Sequence, residues 1–118
     1  MDHLNAVDQR FLALDASMQG FLRDRMLASS AAGLVGMSHD LEGEPDRVEE
    51  LRATGLPVLV LHGEDDDAWS PAVQADMAER LGAAHAVVAD AVHSPAVEQP
   101  EATAKALLAF LPEPGTAL

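Results

Sequence analysis

The sequence predicts an α/β chain in which helices come first and a strand, helix, strand, helix unit with two parallel strands follows. Three observations carry this expectation. "LPVLVLHG" is an apolar run without alternation, ended by Gly63, as in a strand covered on both faces of a parallel sheet. "SPAVQADMAERLG" follows it with helix punctuation at both ends and leads to a second short apolar run, "AHAVVAD". Ahead of Pro57 the apolar spacing is helical throughout.

The elements follow in order. From about Asn5 to Leu27, Val7, Phe11, Leu12, Leu14, Met18, Phe21, Leu22 and Met26 recur at steps of three, four and seven, which predicts one amphipathic helix with a buried face. "SSAAGLVGMSHD", loosened by Gly33 and Gly36, fits a short helix or a turn. "EPDRVEELRATG" predicts a compact helix with Pro45 in its first turn, Arg52 late and Gly55 as its stop. Pro57 is tolerated where a strand begins. In the next helix Ser70 reads as N-cap, Pro71 as the first residue and Gly82 as the C-terminal glycine. "QPEATAKALLAFL" closes as a helix, and "PEPGTAL" as a tail. The organisation expected is a helical segment over 1–43, a βαβα segment over 44–111 and a tail over 112–118. A crossover that joins two parallel strands needs a helix of this length between them.

Composition narrows the function. A chain of 118 residues with 48% hydrophobic content is long enough for one domain with a core. Twenty acidic residues against seven basic ones give a net charge of -13, a surface that repels phosphate backbones and anionic membranes. Nucleic acid and membrane partners are therefore not expected. There is no cysteine, which excludes disulfides and thiolate nucleophiles. The first ten residues carry Asp2 and Asp8 without an apolar signal-peptide core, and no run approaches the ~18 apolar residues of a membrane span. A cytoplasmic protein is expected.

Chemistry concentrates where the two strands end. In open α/β sheets, catalytic groups gather beyond the carboxyl ends of the strands, and both loops there are ionisable: "HGEDDDAWSP" after the first strand and "DAVHSPAVE" after the second. Neighbouring strands would bring Asp66 and His93 to one edge. A carboxylate bonded to one imidazole nitrogen fixes the tautomer and leaves the other nitrogen to act as a base. Asp67 is the alternative acid, and Glu64 and Asp65 read as solvated turn residues. Trp69, the only tryptophan, suits either a pocket wall or packing beneath the loop. His62, Glu64, Asp65, Asp66 and Asp67, with His85 and His93, are a dense set of potential ligands, but they match neither a calcium loop nor a zinc-binding H-E-x-x-H helix. Neither metal nor cofactor is expected.

"PVLVLHGEDDDAWSP", "ADMAERLGA" and "AVHSPAVEQPEATAKALLAFL" together resemble the C-terminal portion of the serine-dependent α/β-hydrolase superfamily over about residues 44 to 111. The resemblance implies that the Gly-x-x-Asp pattern, Gly63 to Asp66, supplies the triad acid. It also implies that the Ala91, His93, Pro95 pattern supplies the triad histidine. Residues 5–43 are similar to the end of the helical cap that many members insert before this strand. The ancestral activity implied is hydrolysis of esters and related acyl bonds.

One family element is missing. The nucleophile elbow, G-x-S-x-G between a strand and a helix, does not occur; the nearest string, "GMSHD", has Ser38 but Asp40 in place of the last glycine, and no strand precedes it. Ser38 is better read as a turn or helix-cap residue. The chain is thus expected to carry acid and base without nucleophile, to be inactive alone, and to take a small ester substrate only when completed. Two parallel strands with an uncovered edge invite pairing. The partner expected is a complementary chain or a second copy, in a split or self-associating hydrolase. The remaining alternative is a noncatalytic helical interaction module.

Overall fold

The computed structural model describes residue 9 and residues 11–115. The chain divides into two compact units, Met1–Pro45 and Asp46–Leu118.

In the first unit, a helical turn at residues 11–13 precedes α1 (Ala16–Leu27), and α2 (Ala31–Gly43) follows. The single helix expected over residues 5–27 is interrupted at Leu14 and Asp15; residues 5–8 and 10 of that expectation lie outside the described residues. The reason is capping. Asp15 adopts an extended backbone (φ -65°, ψ 158°) and its carboxylate accepts the Met18 N–H at 2.9 Å, starting a new helix where a continuous one would have left that oxygen idle. Gln19 Nε2 donates to the Leu12 and Leu14 carbonyls at 3.2 and 2.8 Å, closing the end of the preceding turn. Ser30 caps α2 in the same manner, its Oγ accepting the Gly33 N–H at 3.2 Å. "SSAAGLVGMSHD" is therefore a full helix, its glycines tolerated. The face expected to be buried is only partly covered: Leu14, Met18 and Leu22 are half-buried, whereas Leu12, Phe21 and Met26 are more than half exposed.

The second unit contains α3 (Val48–Ala53), β1 (Leu59–Gly63), α4 (Pro71–Leu81), β2 (Ala84–Val88), the short α5 (Pro95–Glu98) and α6 (Pro100–Phe110). α3 starts three residues after Pro45, because Asp46 Oδ1 accepts the Val48 N–H at 3.0 Å and sets the first turn there. Gly55, at φ +70°, supplies the left-handed residue that ends the segment. β1 and β2 pair in parallel, with Leu59 opposite Ala84 and Gly63 opposite Val88. The ladder is extended at both ends by Ala84 N–H to Val58 O (3.0 Å) and Glu64 N–H to Val88 O (2.9 Å). The crossover helix α4 ends on Gly82 in the left-handed region (φ 62°), as its sequence requires. Ser70 holds the N-cap position of α4, but its side chain makes no capping bond.

α4 packs on β1 and β2 and is flanked by α3, while α6 packs on β2 and α5. Arg80 of α4 pins α3 through Asp46 at 2.9 Å, with Glu49 at 3.7 Å. The core is small. Among the described residues, Val60, Ala78, Val88 and Ala91 are its buried apolar residues, and His62, Asp66 and Thr103 are buried beside them. Val73, Val87, Leu108 and Leu111 stay more than half exposed.

Candidate functional site

Because β1 and β2 are parallel neighbours, the loops leaving Gly63 and Val88 emerge from one edge of the sheet. Their close approach is built around Gly63. A methyl group placed on Gly63 would collide with the carbonyl oxygens of Ala91 and Val92, so only glycine lets the second loop rest on the strand end. Asp65 N–H then donates to Ala91 O at 3.0 Å. Glu64 reaches the Asp90 N–H at 3.4 Å, where Asp90 takes a positive φ of 54°, a conformation Asp tolerates better than most side chains. Glu64 and Asp65 are thus exposed, as expected, but both tie the two loops together.

Asp66 is the buried acid of the run, 8% exposed, whereas Glu64, Asp65 and Asp67 are exposed. Its Oδ1 accepts the N–H groups of Ala68 (3.0 Å) and Trp69 (3.1 Å), an Asx-type turn. Its Oδ2 accepts from Gln74 Nε2 at 3.0 Å. His93 Nδ1 lies 3.1 Å from Oδ1. Burial raises the Asp66 carboxyl pKa, but the Trp69 and Ala68 amides, the Gln74 amide and His93 together outweigh it and hold the group below the usual carboxylate value. Asp66 is therefore a carboxylate at neutral pH. Since a carboxylate only accepts, His93 donates from Nδ1, and the lone pair of its neutral ring is on Nε2. The His93 side chain is 53% exposed, and no hydrogen bond engages Nε2 among the described residues. An oriented imidazole with an open Nε2 can take a proton from a group brought to it.

Of the two candidate acids, the structure brings Asp66 and not Asp67 onto His93. Trp69, 52% exposed, joins the site through its backbone: its N–H binds Asp66 and its carbonyl accepts from Gln74 at 3.0 Å. Ser38 lies inside α2, in the other unit, and its hydroxyl donates to Leu34 O at 2.9 Å. It is neither the turn nor the cap residue expected, because the cap of that helix is Ser30. His62 and His85, grouped with the acids in the sequence, instead form a separate pair with their Nε2 atoms 2.9 Å apart. His62 is buried and its Nδ1 donates to the Gly63 carbonyl at 2.8 Å. In the neutral pair, His62 Nε2 consequently accepts and His85 Nε2–H donates. Among the described residues no three His, Asp or Glu side chains come together as metal ligands would.

Two residues escaped the sequence reading. Gln74, on the first turn of α4, holds Asp66 Oδ2 and the Trp69 carbonyl at once. Glu98, at the end of α5, accepts from the N–H groups on both sides of His93. Only the knowledge that α4 folds back over its preceding loop, and that a short α5 exists, could have singled them out.

Comparison with known proteins returns no match, whether to a protein-family model, a curated protein or a solved structure.

Proposed function

We propose that this chain carries the acid and histidine part of a serine-dependent α/β-hydrolase, with Asp66 orienting His93 as general base for a serine that lies outside residues 1–118. The observation that carries the reading is the 3.1 Å contact between His93 Nδ1 and Asp66 Oδ1, made by two loops that leave adjacent parallel strands on the same edge. In the completed site His93 Nε2 would take the proton from the serine hydroxyl, an acyl-enzyme would form at that serine, and His93 would return the proton to the leaving group. The imidazolium formed on the way would be stabilised by Asp66, already ionised by its amide donors.

The incompleteness of the second unit supports a partner. Its buried apolar residues are few, and Val73, Val87 and Leu108 remain open, although burial of each such side chain favours folding by about 1.5 to 3 kcal/mol. A two-stranded sheet also leaves strand edges for a further strand to pair with. Substrate is proposed only at the level of small esters and related acyl compounds.

The test is p-nitrophenyl ester hydrolysis by the purified chain beside His93→Ala. The proposal expects no turnover above the variant. Turnover that disappears in His93→Ala and is blocked by a serine-directed phosphonate would show a nucleophile within this chain and overturn the reading of it as a half-site.

A further inference from the structure

We propose that Glu98 is a positioning residue for His93, a role that rests on the reading of His93 as the base. A single oxygen, Glu98 Oε2, accepts the Val92 N–H at 3.0 Å and the Ser94 N–H at 2.9 Å. These are the amides immediately before and after His93. A charged acceptor makes both bonds stronger than neutral ones, and together they fix the backbone from which the imidazole projects. The next residue continues the clasp, Gln99 Nε2 donating to the Asp90 carbonyl at 3.3 Å.

The placement has a consequence that burial alone would not give. On its strand-facing side, the 90–94 loop is held by the Asp65 N–H to Ala91 O bond and by the close approach of Gly63. Neither reaches His93 itself, which is half exposed and has Asp66 as its side-chain contact. Glu98 grips the N–H groups of the residues before and after His93. Without it, the backbone that aims the imidazole at Asp66 is no longer held, and the His93 Nδ1 contact to Asp66 weakens. A displacement near 1 Å is enough to spoil a proton-transfer geometry.

α5 is consistent with this use. It has only four residues and its own capping bonds are backbone ones, Val97 and Glu98 N–H to Ser94 O, both at 2.9 Å. The helix brings Glu98 back over its own start. A solvated glutamate at the end of so short a helix would need no particular partner.

The tautomer of His93 tests the role without requiring turnover. In the wild type, 15N resonances of the neutral ring should report Nδ1–H with bare Nε2, and Asp66→Ala, which leaves no acceptor there, should abolish that preference. In Glu98→Ala the tautomer ratio should shift toward that of free imidazole by roughly fivefold, the effect of one net hydrogen bond, with the amide shifts of Leu59–Gly63 unchanged. Glu98→Gln, which retains a carbonyl oxygen, should restore most of it. A wild-type ratio in folded Glu98→Ala would overturn the proposal, as would a Glu98→Ala chain whose amide dispersion collapses, since that indicates a general stabilising role. A ratio indifferent to Asp66→Ala would instead remove the Asp66 and His93 pair and with it the hydrolase reading, whatever Glu98 does.

Discussion

Replacing Gly63 with alanine attacks the joint between the two site loops. The added methyl overlaps the carbonyl oxygens of Ala91 and Val92, and these are backbone atoms, so no side-chain rotation relieves the clash. The second loop must retreat by about 1 Å to reach ordinary contact, and it is the loop that carries His93. Overpacking at a rigid site costs ~1–3 kcal/mol. The Asp65 N–H to Ala91 O bond, 3.0 Å in the native chain, stretches with the retreat, for a further ~1 kcal/mol. The sum, about 3 kcal/mol, is a large part of the stability of a domain this small. Urea unfolding followed by circular dichroism measures the loss. His93 should at the same time lose its bond to Asp66, seen as loss of the downfield Nδ1–H proton resonance. Gly63→Ala with stability within ~0.5 kcal/mol of wild type and that resonance intact would refute the reasoning.

Further outcomes follow from the same contacts. Asp66→Asn keeps one acceptor oxygen but turns an NH2 group toward either Gln74 or His93, and should cost about 2 kcal/mol at pH 7 in urea unfolding. The Asp66 carboxyl is held below its ordinary value, which is close to that of the unfolded chain, so the unfolded state binds the proton more readily. Its contribution is full above about pH 5 and is lost as pH falls through ~3.9 and then through the folded value; the gap between wild type and Asp66→Asn should shrink over that window and grow nowhere above it. His85→Ala strips the buried His62 Nε2 of its partner, and should destabilise by ~1–2 kcal/mol, whereas Trp69→Ala, which removes a half-exposed ring and no hydrogen bond of the site, should cost less. Arg80→Ala removes half-exposed ion pairs to Asp46 and Glu49, so the urea midpoint should fall and the fall should shrink at high salt.

What the sequence disclosed and what it hid divide along physical lines. The parallel strands were legible because an unbroken apolar run, a punctuated helix and a second apolar run leave few other arrangements. From that, the meeting of Asp66 and His93 at one edge followed as a geometric expectation. The break at Asp15 was hidden because a capping carboxylate and a polar residue within a helix are the same letter; only the φ and ψ of Asp15 tell them apart. The buried face expected of α1 was read from spacing, but spacing describes what a helix offers and not whether anything covers it. Choosing Asp66 over Asp67 drew on the Gly-x-x-Asp pattern, while the structure adds a reason: two amides and Gln74 converge on Asp66. Gln74 and Glu98 were invisible since each acts across a turn whose path no local pattern specifies.

The most direct measurement of the half-site proposal is reconstitution. The chain would be co-purified with a polypeptide that carries a G-x-S-x-G elbow, and the complex exposed to a serine-directed phosphonate with wild-type His93 or His93→Ala. The account predicts stable association and phosphonate attached to the partner's serine, with labelling and ester turnover both lost in His93→Ala. Labelling and turnover of equal rate in the presence and absence of His93 would contradict it.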